Sequence, residues 1–401
     1  MKTRNIFGLN LITILRTFIL AAGALFFSAC NDADEPNGDE PVDGESRTVL
    51  VYMAADNNLS SYAMLDIREM KEGLKKVAGQ KNKRLLVYLA YPRSEYNKMF
   101  ELLPDGTMTD IKEFLRGDNL TVSRMREVFA LMKEHAPAEH YGLVLWSHGT
   151  GWLNDSGVID DPDDYAFSEM RPKSWGYDNI GKTKMRITAL AEALGDVEWE
   201  YVYFDCCHMA CVEVAYELRH VTPLIVGSPT ELGVDGMPYH KNVECLLAGA
   251  DRISDAVSNT YHSYADGEVV DNNEGCAITL IRTDGLERLA DATRAIYAGN
   301  PQPAYDYMPV PYFRTIIMRT GIYDMWHYMA SLTDDEQLLG EWRTAYEATV
   351  PLALTTPTVY RLDATDFHGL GTQIINNSGD VDAYDYALTS WWRDVVKYRF
   401  D

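Results

Sequence analysis

An α/β fold is what the sequence predicts, with a mainly parallel sheet, helices on both faces and a C-terminal mixed α/β extension. Three observations carry this. Short apolar runs and helix-period segments alternate from residue 48 to about residue 300, the order that parallel strands and their crossover helices require. Residues 201–218 (YVYFDCCHMACVEVAYEL) join a strand, Tyr201 to Phe204, to a segment with Ala210, Val214 and Leu218 on one helical side. Residues 141–152 (YGLVLWSHGTGW) run a strand, LVLW, into Ser147, His148 and Gly149. Both strands end in reactive side chains, at the edge where open α/β sheets keep their ligands.

The elements follow in order. Residues 48–54 (TVLVYMA) and 84–90 (RLLVYLA) read as buried parallel strands. Between them, Asp56-Asn57-Asn58 is turn chemistry, and Ser60 opens a helix to about Val77. Residues 97–103 and 108–114, split by Pro104-Asp105-Gly106, read as a hairpin. Residues 123–135 form an amphipathic helix with Ser123 as its N-cap. Residues 153–186 break the rhythm with Asp155, Asp160, Asp161, Asp163 and Asp164, then Arg171, Lys173, Lys182, Lys184 and Arg186. A helix from Thr188 leads to the strand before Cys207. Strands are expected at 224–227 and 277–282, and helices at 252–264 and 286–297. Prolines 301, 303, 309 and 311 mark an irregular join to a tail with helices at 335–349 and 385–398.

Charge and leader bound the function classes. The 401-residue chain carries a formal charge of -24, which excludes nucleic acid as a partner and favours cationic ones. Residues 1–29 read as a signal peptide: Lys2 and Arg4 precede an apolar run that ends in Phe27-Ser28-Ala29-Cys30. That ending resembles a bacterial lipobox, which makes Cys30 the lipidated residue and the lipid the link to a membrane. Residues 30–46 are an acidic tether of disordered composition, similar to surface-export signals of some Gram-negative lipoproteins. The expected location is therefore the cell envelope, at the outer membrane or cell surface. The expected organisation is 1–29 leader, 30–46 tether, 47–300 the α/β core and 301–401 an extension packing on or following that core. Besides Cys30, cysteines stand at 206, 207, 211, 245 and 276. The count is odd and the spacing matches neither a disulfide framework nor a structural zinc site.

The chemistry rests on Cys207 and His148. A thiolate is a strong nucleophile, and an imidazole beside it can take its proton and later protonate a leaving amine. A helix starting beside Cys207 would favour the thiolate. Glycine after the histidine lets backbone approach a ligand, and the N–H groups of Gly149 and Cys207 could hold an oxyanion. No cofactor is required for this, and no metal ligand is expected among these site residues. Asp160, Asp161, Asp163 and Asp164 could offer oxygen ligands to Ca2+, although they do not follow an EF-hand loop.

These two stretches together resemble the clostripain family of cysteine peptidases. The residues that carry the likeness are Tyr-Gly-Leu-Val-Leu-Trp-Ser-His-Gly-Thr-Gly-Trp and Phe-Asp-Cys-Cys-His-Met-Ala-Cys-Val-Glu-Val-Ala-Tyr-Glu-Leu. Residues 48–59 (TVLVYMAADNNL) are similar to the family's opening strand and turn, and residues 228–239 to a later loop. The resemblance implies a caspase-like fold, a nucleophile at Cys207 and a catalytic histidine at His148. It also implies that Asp205, otherwise a helix cap, sits in the pocket that selects Arg or Lys, with protein or peptide substrates. It further implies an inactive precursor cut between the histidine and the cysteine, with Arg171, Lys173, Lys182 and Lys184 as candidate sites, and calcium as an activator in some members. Two departures stand out: Cys206 occupies the family's alanine, and His208 replaces an apolar residue. They prompt the competing reading, a non-catalytic surface lipoprotein that uses this fold to bind peptide or glycan. A cysteine-dependent amidase or transpeptidase on the same scaffold is a third reading.

Overall fold

The computed structural model describes residues 44–92, 94–152, 175–180, 183–268, 275–299, 322–359, 362–375, 381 and 386–400. The elements are, in order, β1 (Arg47–Ala54), α1 (Ser60–Leu74), β2 (Lys83–Ala90), β3 (Tyr96–Leu102), β4 (Met108–Leu115), α2 (Val122–His135) and β5 (His140–Trp146). Then come β6 (Trp175–Asp178), β7 (Thr183–Met185), α3 (Ile187–Leu194), β8 (Trp199–Asp205), α4 (Val212–Glu217), β9 (Leu224–Gly227), α5 (Tyr239–Ala248), α6 (Ile253–Ala265), β10 (Ala277–Arg282) and α7 (Leu286–Ala298). The tail adds β11 (Tyr323–Asp324), α8 (Met325–Ala330), α9 (Glu336–Thr349), β12 (Leu352–Thr355), β13 (Thr358–Val359), β14 (Leu362–Asp363) and β15 (Gly371–Thr372).

One nine-stranded sheet, in the order β12-β10-β9-β8-β5-β1-β2-β3-β4, organises these residues. Its centre, β2-β1-β5-β8-β9, is parallel, and antiparallel pairs close both edges. The central strands are apolar on both sides because both faces are covered. Leu50 and Tyr52 of β1, Leu143 and Leu145 of β5, and Val202 and Phe204 of β8 point into one core, against Phe129 of α2, Leu190 of α3 and Leu289 of α7. Their neighbours Val49, Val51, Val144, Tyr201 and Tyr203 point into the other, against Ile67 of α1, Val243 of α5 and Val257 of α6. Alternation along a strand therefore writes both layers at once. At the interior strand ends, Arg47 is buried and forms a paired bond to Glu200 at 2.7 and 2.9 Å.

Three local readings need correction. The N-cap of α2 is Thr121, whose hydroxyl accepts from the Arg124 amide, and not Ser123. The tail segment 385–398 is broken into a 3-10 turn (Tyr386–Leu388), a short helix (Ser390–Asp394) and another turn (Val396–Arg399). The third affects chemistry. α4 begins only at Val212, with Cys211 as its N-cap, so no helix terminus lies beside Cys207. His208 at φ 60° turns the chain there, and a left-handed residue cannot continue a helix.

The tail joins the sheet through β12, which pairs with β10. It also seats on α4. The buried carboxylate of Glu213 accepts from the Thr372 hydroxyl at 3.0 Å, the Gln373 amide at 2.9 Å and the Tyr386 hydroxyl at 2.9 Å. Burial holds that carboxyl above its ordinary range, and these bonds act against the rise. No helix among the described residues is long and apolar enough to cross a membrane.

Candidate active site

Strand register builds the site. β5 and β8 are parallel neighbours with Trp146 opposite Asp205. Each chain runs two residues past that pair to reach His148 and Cys207, which places the imidazole-bearing and thiol-bearing backbones side by side at one sheet edge. Gly149 seals the contact: a Cβ there would overlap the Cys207 carbonyl oxygen and lie 3.1 Å from Cys206 Sγ. Only glycine allows this approach. Gly149→Ala is expected to lower turnover by about 100-fold or more, because displacing reacting groups by about 1 Å has that effect. Steady-state kinetics beside a thermal melt would check it, since a loss explained by unfolding would appear in the melt.

The histidine is held from a second strand end. Asn57 donates to Ala54 O at 2.8 Å and to Tyr177 O at 3.0 Å, and accepts from the Leu59 amide at 2.8 Å. Asp56, buried, receives a forked contact from Arg116 at 2.7–3.0 Å. The turn so fixed presents Asn58, whose Oδ1 lies 2.7 Å from His148 Nε2. With Nε2 engaged, Nδ1 is the ring nitrogen left for proton transfer. Burial, helped by the charge of Lys184, pushes the His148 imidazole down to about 4, so the ring is neutral at neutral pH. Asn58 was not singled out from sequence. Its signal was the Asp-Asn-Asn turn, read there only as a turn.

Cys207 is half-buried, and its Sγ accepts from the Leu232 amide at 3.3 Å and lies 3.7 Å from Leu232 O. The other thiols differ. Cys206 and Cys211 are buried, and burial raises both well above the ordinary thiol range, which makes them poor nucleophiles. His208 is buried as well. Its amide donates to Thr230 O at 2.9 Å, its Nδ1 lies 3.3 Å from Pro229 O, and burial pushes it down to about 4. It is a wall of the loop after β9. No disulfide joins the described cysteines.

Asp205 shares a sheet face with Tyr201 and Tyr203, so it faces α1 and α5. Its carboxylate accepts from the Met237 amide at 3.0 Å and the Tyr239 hydroxyl at 2.9 Å, which are neutral donors. Gly236, at φ 59°, lies close over it: a Cβ there would be 2.7 Å from Oδ1. Opposite, Trp146 Nε1 donates to Asp66 at 2.7 Å. Burial raises both carboxyls, Asp205 to about 7, and the Asp205 charge raises Asp66 further, with Glu69 and Asp235 adding to it. The reading of Asp205 as a cap for the following helix is overturned, because its partners lie in the loop before α5 and in α5 itself.

Of the remaining residues singled out in sequence, Cys30, Asp160, Asp161, Asp163, Asp164, Arg171, Lys173 and Lys182 lie outside the described residues. Lys184 sits inside β7 with its ammonium 5.6 Å from the Tyr177 ring centroid.

A thiol and an imidazole on adjacent parallel strand ends, with the sheet closed by antiparallel edges, define a caspase-like cysteine hydrolase. The model of the clostripain family, peptidase family C11, matches residues 51–302. The chain belongs to that family and is a cysteine peptidase. Among solved structures it is similar to a secreted C11 cysteine protease from Bacteroides thetaiotaomicron in complex with an irreversible peptide inhibitor. The identity is 28% and the TM-score 0.73, covering 86% of this chain and 98% of that one. It is also similar to an inactive zymogen C11 protease from Parabacteroides distasonis, at 27% identity and TM-score 0.72, covering 88% and 99%. No curated protein matches it.

Proposed function

We propose that this chain is an exported, lipid-anchored endopeptidase that cleaves after Arg or Lys, with Cys207 as nucleophile and His148 as its base and acid. The observation that carries the reading is the shared strand-end register of these two residues, closed by the Gly149–Cys207 backbone contact. Neutral His148 takes the thiol proton as Sγ attacks the scissile carbonyl. The amides of Gly149 and Cys207 stabilise the oxyanion, the imidazolium protonates the departing amine, and water then releases the acid from the thioester. Asp205, which accepts from the neutral Met237 amide and Tyr239 hydroxyl, supplies the charge for a guanidinium or ammonium, and Glu69 adds to the negative field around it. Hydrolysis of fluorogenic peptides ending in Arg, Lys or Asp is the test, with Cys207→Ala alongside. Cleavage of the first two alone supports the reading, and equal cleavage of the third removes it.

Cys30 would carry the lipid and residues 30–46 the tether to the cell envelope. The protein would also be made as a precursor. Gly236 and the Met237 amide lie against Asp205, and the Leu232 amide holds Cys207 Sγ, as fits a site awaiting release. Self-cleavage after Arg171, Lys173, Lys182 or Lys184 would release it. For Lys184 the cut bond lies within β7, so the β6–β7 hairpin would first have to open. Purified wild type should run as two fragments on a denaturing gel and Cys207→Ala as one band. A single band for both would refute self-processing. If chelation with EGTA leaves activity untouched, calcium has no part in it.

A further inference from the structure

A second cluster of reactive side chains lies in the tail. β11 pairs with β15, Asp324 opposite Gly371, and this ribbon brings His327 of α8 next to His368. The Asp324 carboxylate is fully buried and is fixed by two backbone amides, His327 N–H at 3.0 Å and His368 N–H at 2.6 Å. Both imidazoles turn Nδ1 toward the same oxygen, Asp324 Oδ1, each at 3.4 Å. Both Nδ1 atoms are inaccessible to solvent, and neither makes a hydrogen bond.

That geometry is wrong for hydrogen bonding, where N–H···O distances cluster near about 2.9 Å, and a buried polar atom without a partner is costly. It is right for ligands of one ion. A tetrahedral zinc at about 2.0–2.1 Å from its ligands sets them roughly 3.3–3.4 Å apart. The three ligand atoms all lie within 4.8 Å of one another. Their orientation is also secured from outside. The His368 ring is stacked on Trp326, centroids 4.9 Å apart and planes 6° apart, and His327 meets His368 edge-on at 4.8 Å. Fixed imidazole planes and a carboxylate anchored by amides are what a metal site needs around its direct ligands.

We propose that Asp324 Oδ1, His327 Nδ1 and His368 Nδ1 bind a divalent transition metal, zinc by their chemistry. Two imidazoles and one carboxylate suit zinc or its borderline neighbours rather than Ca2+ or Mg2+, which take oxygen ligands. Water completes the tetrahedron. The ion clamps the β11–β15 ribbon, and that ribbon touches the segment after the nucleophile: the Gly371 amide donates to Ala210 O at 2.9 Å. The metal is thus a structural tie between the tail and the chain leading out of Cys207.

The test uses the purified chain carrying Cys207→Ala, so that zinc cannot bind the reactive thiol. After dialysis against a chelator, it should bind one zinc per chain and melt at a higher temperature with zinc, whereas calcium and magnesium should do neither. His327→Gln and His368→Gln should each weaken zinc binding by about 100-fold or more, since even outer partners of a metal ligand are worth about 10–100-fold. Equal melting of the parent and both variants in chelator would show that the fold is intact. X-ray absorption at the zinc edge reads the parent directly, with a nitrogen and oxygen shell expected. No bound zinc, equal binding by the parent and both variants, or a shell containing sulfur would overturn the proposal.

Discussion

Cys207→Ala is expected to lower kcat/KM on Arg- and Lys-terminated peptides by about 10^4- to 10^6-fold, the range seen when a covalent nucleophile is removed. His148→Ala should come close to it, and the double variant should be little worse than either single one, because nucleophile and base act as a unit. The reason lies in the charge state of the site. Burial keeps the His148 imidazole neutral at neutral pH, so it can accept the thiol proton but holds none in reserve for the leaving amine. In the proposed mechanism each turnover would therefore draw its acid from the thiol itself, and removing either partner would stop both proton transfers. Asn58→Ala should act differently. It frees the ring at Nε2 without touching the reacting atoms, so kcat should fall by about 10- to 100-fold while KM stays. Activity surviving in Cys207→Ala would remove the dyad, and an unchanged kcat in Asn58→Ala would remove the positioning role.

The parts of this site that sequence could reach are those written in consecutive residues. β1, β5 and β8 are apolar runs closed by turn residues, and their faces follow from alternation, so Asp205, Cys207 and His148 could be placed at strand ends. What escaped depends on contacts distant in sequence or on one backbone angle. The left-handed His208 delays α4 to Val212, and nothing in Cys-Cys-His-Met-Ala-Cys announces it, since the segment keeps an apolar spacing compatible with helix. Thr121 caps α2 in place of Ser123 because the two hydroxyls stand two residues apart at the helix start, and the extended φ and ψ of Thr121, -114° and 146°, put the boundary before Val122 and leave Ser123 inside the first turn. Asn58 and Asp66 act on the site from α1 and the turn before it, and pairing them with His148 and Asp205 requires knowing that β1 and β5 are neighbours. The Asp324–His327–His368 cluster depends on β11 and β15, two-residue strands too short to give a periodic signal.

Asp205→Asn should remove cleavage after Arg by about 100-fold or more while leaving alkylation of Cys207 unchanged, and it should also make the protein more stable at alkaline pH. The two outcomes have one cause. Burial raises the Asp205 carboxyl from 3.8 to about 7, so between these values the native state keeps a proton that the unfolded chain gives up. Stability from this group is therefore full below about pH 4, falls as pH rises toward 7, and is flat above it; the loss is at most on the order of 4 kcal/mol. Asparagine mimics the protonated acid: its oxygen can accept from the Met237 amide and its NH2 can face the Tyr239 hydroxyl, so the loss disappears. In the proposed pocket a bound guanidinium would offset the same cost by pairing with the ionised form, and binding would then expel the proton. Below about pH 7 the KM for Arg peptides should rise by about 10-fold per pH unit, and KM for an uncharged peptide should not. The Asp205 charge in turn raises the buried Asp66 carboxyl, so the two acids titrate as a linked site. Equal KM profiles for charged and uncharged peptides, or an Arg preference intact in Asp205→Asn, would place the specificity elsewhere. A melting temperature that falls with pH from 4 to 7 in wild type, and less so in Asp205→Asn, would identify the carboxylate that carries the strain.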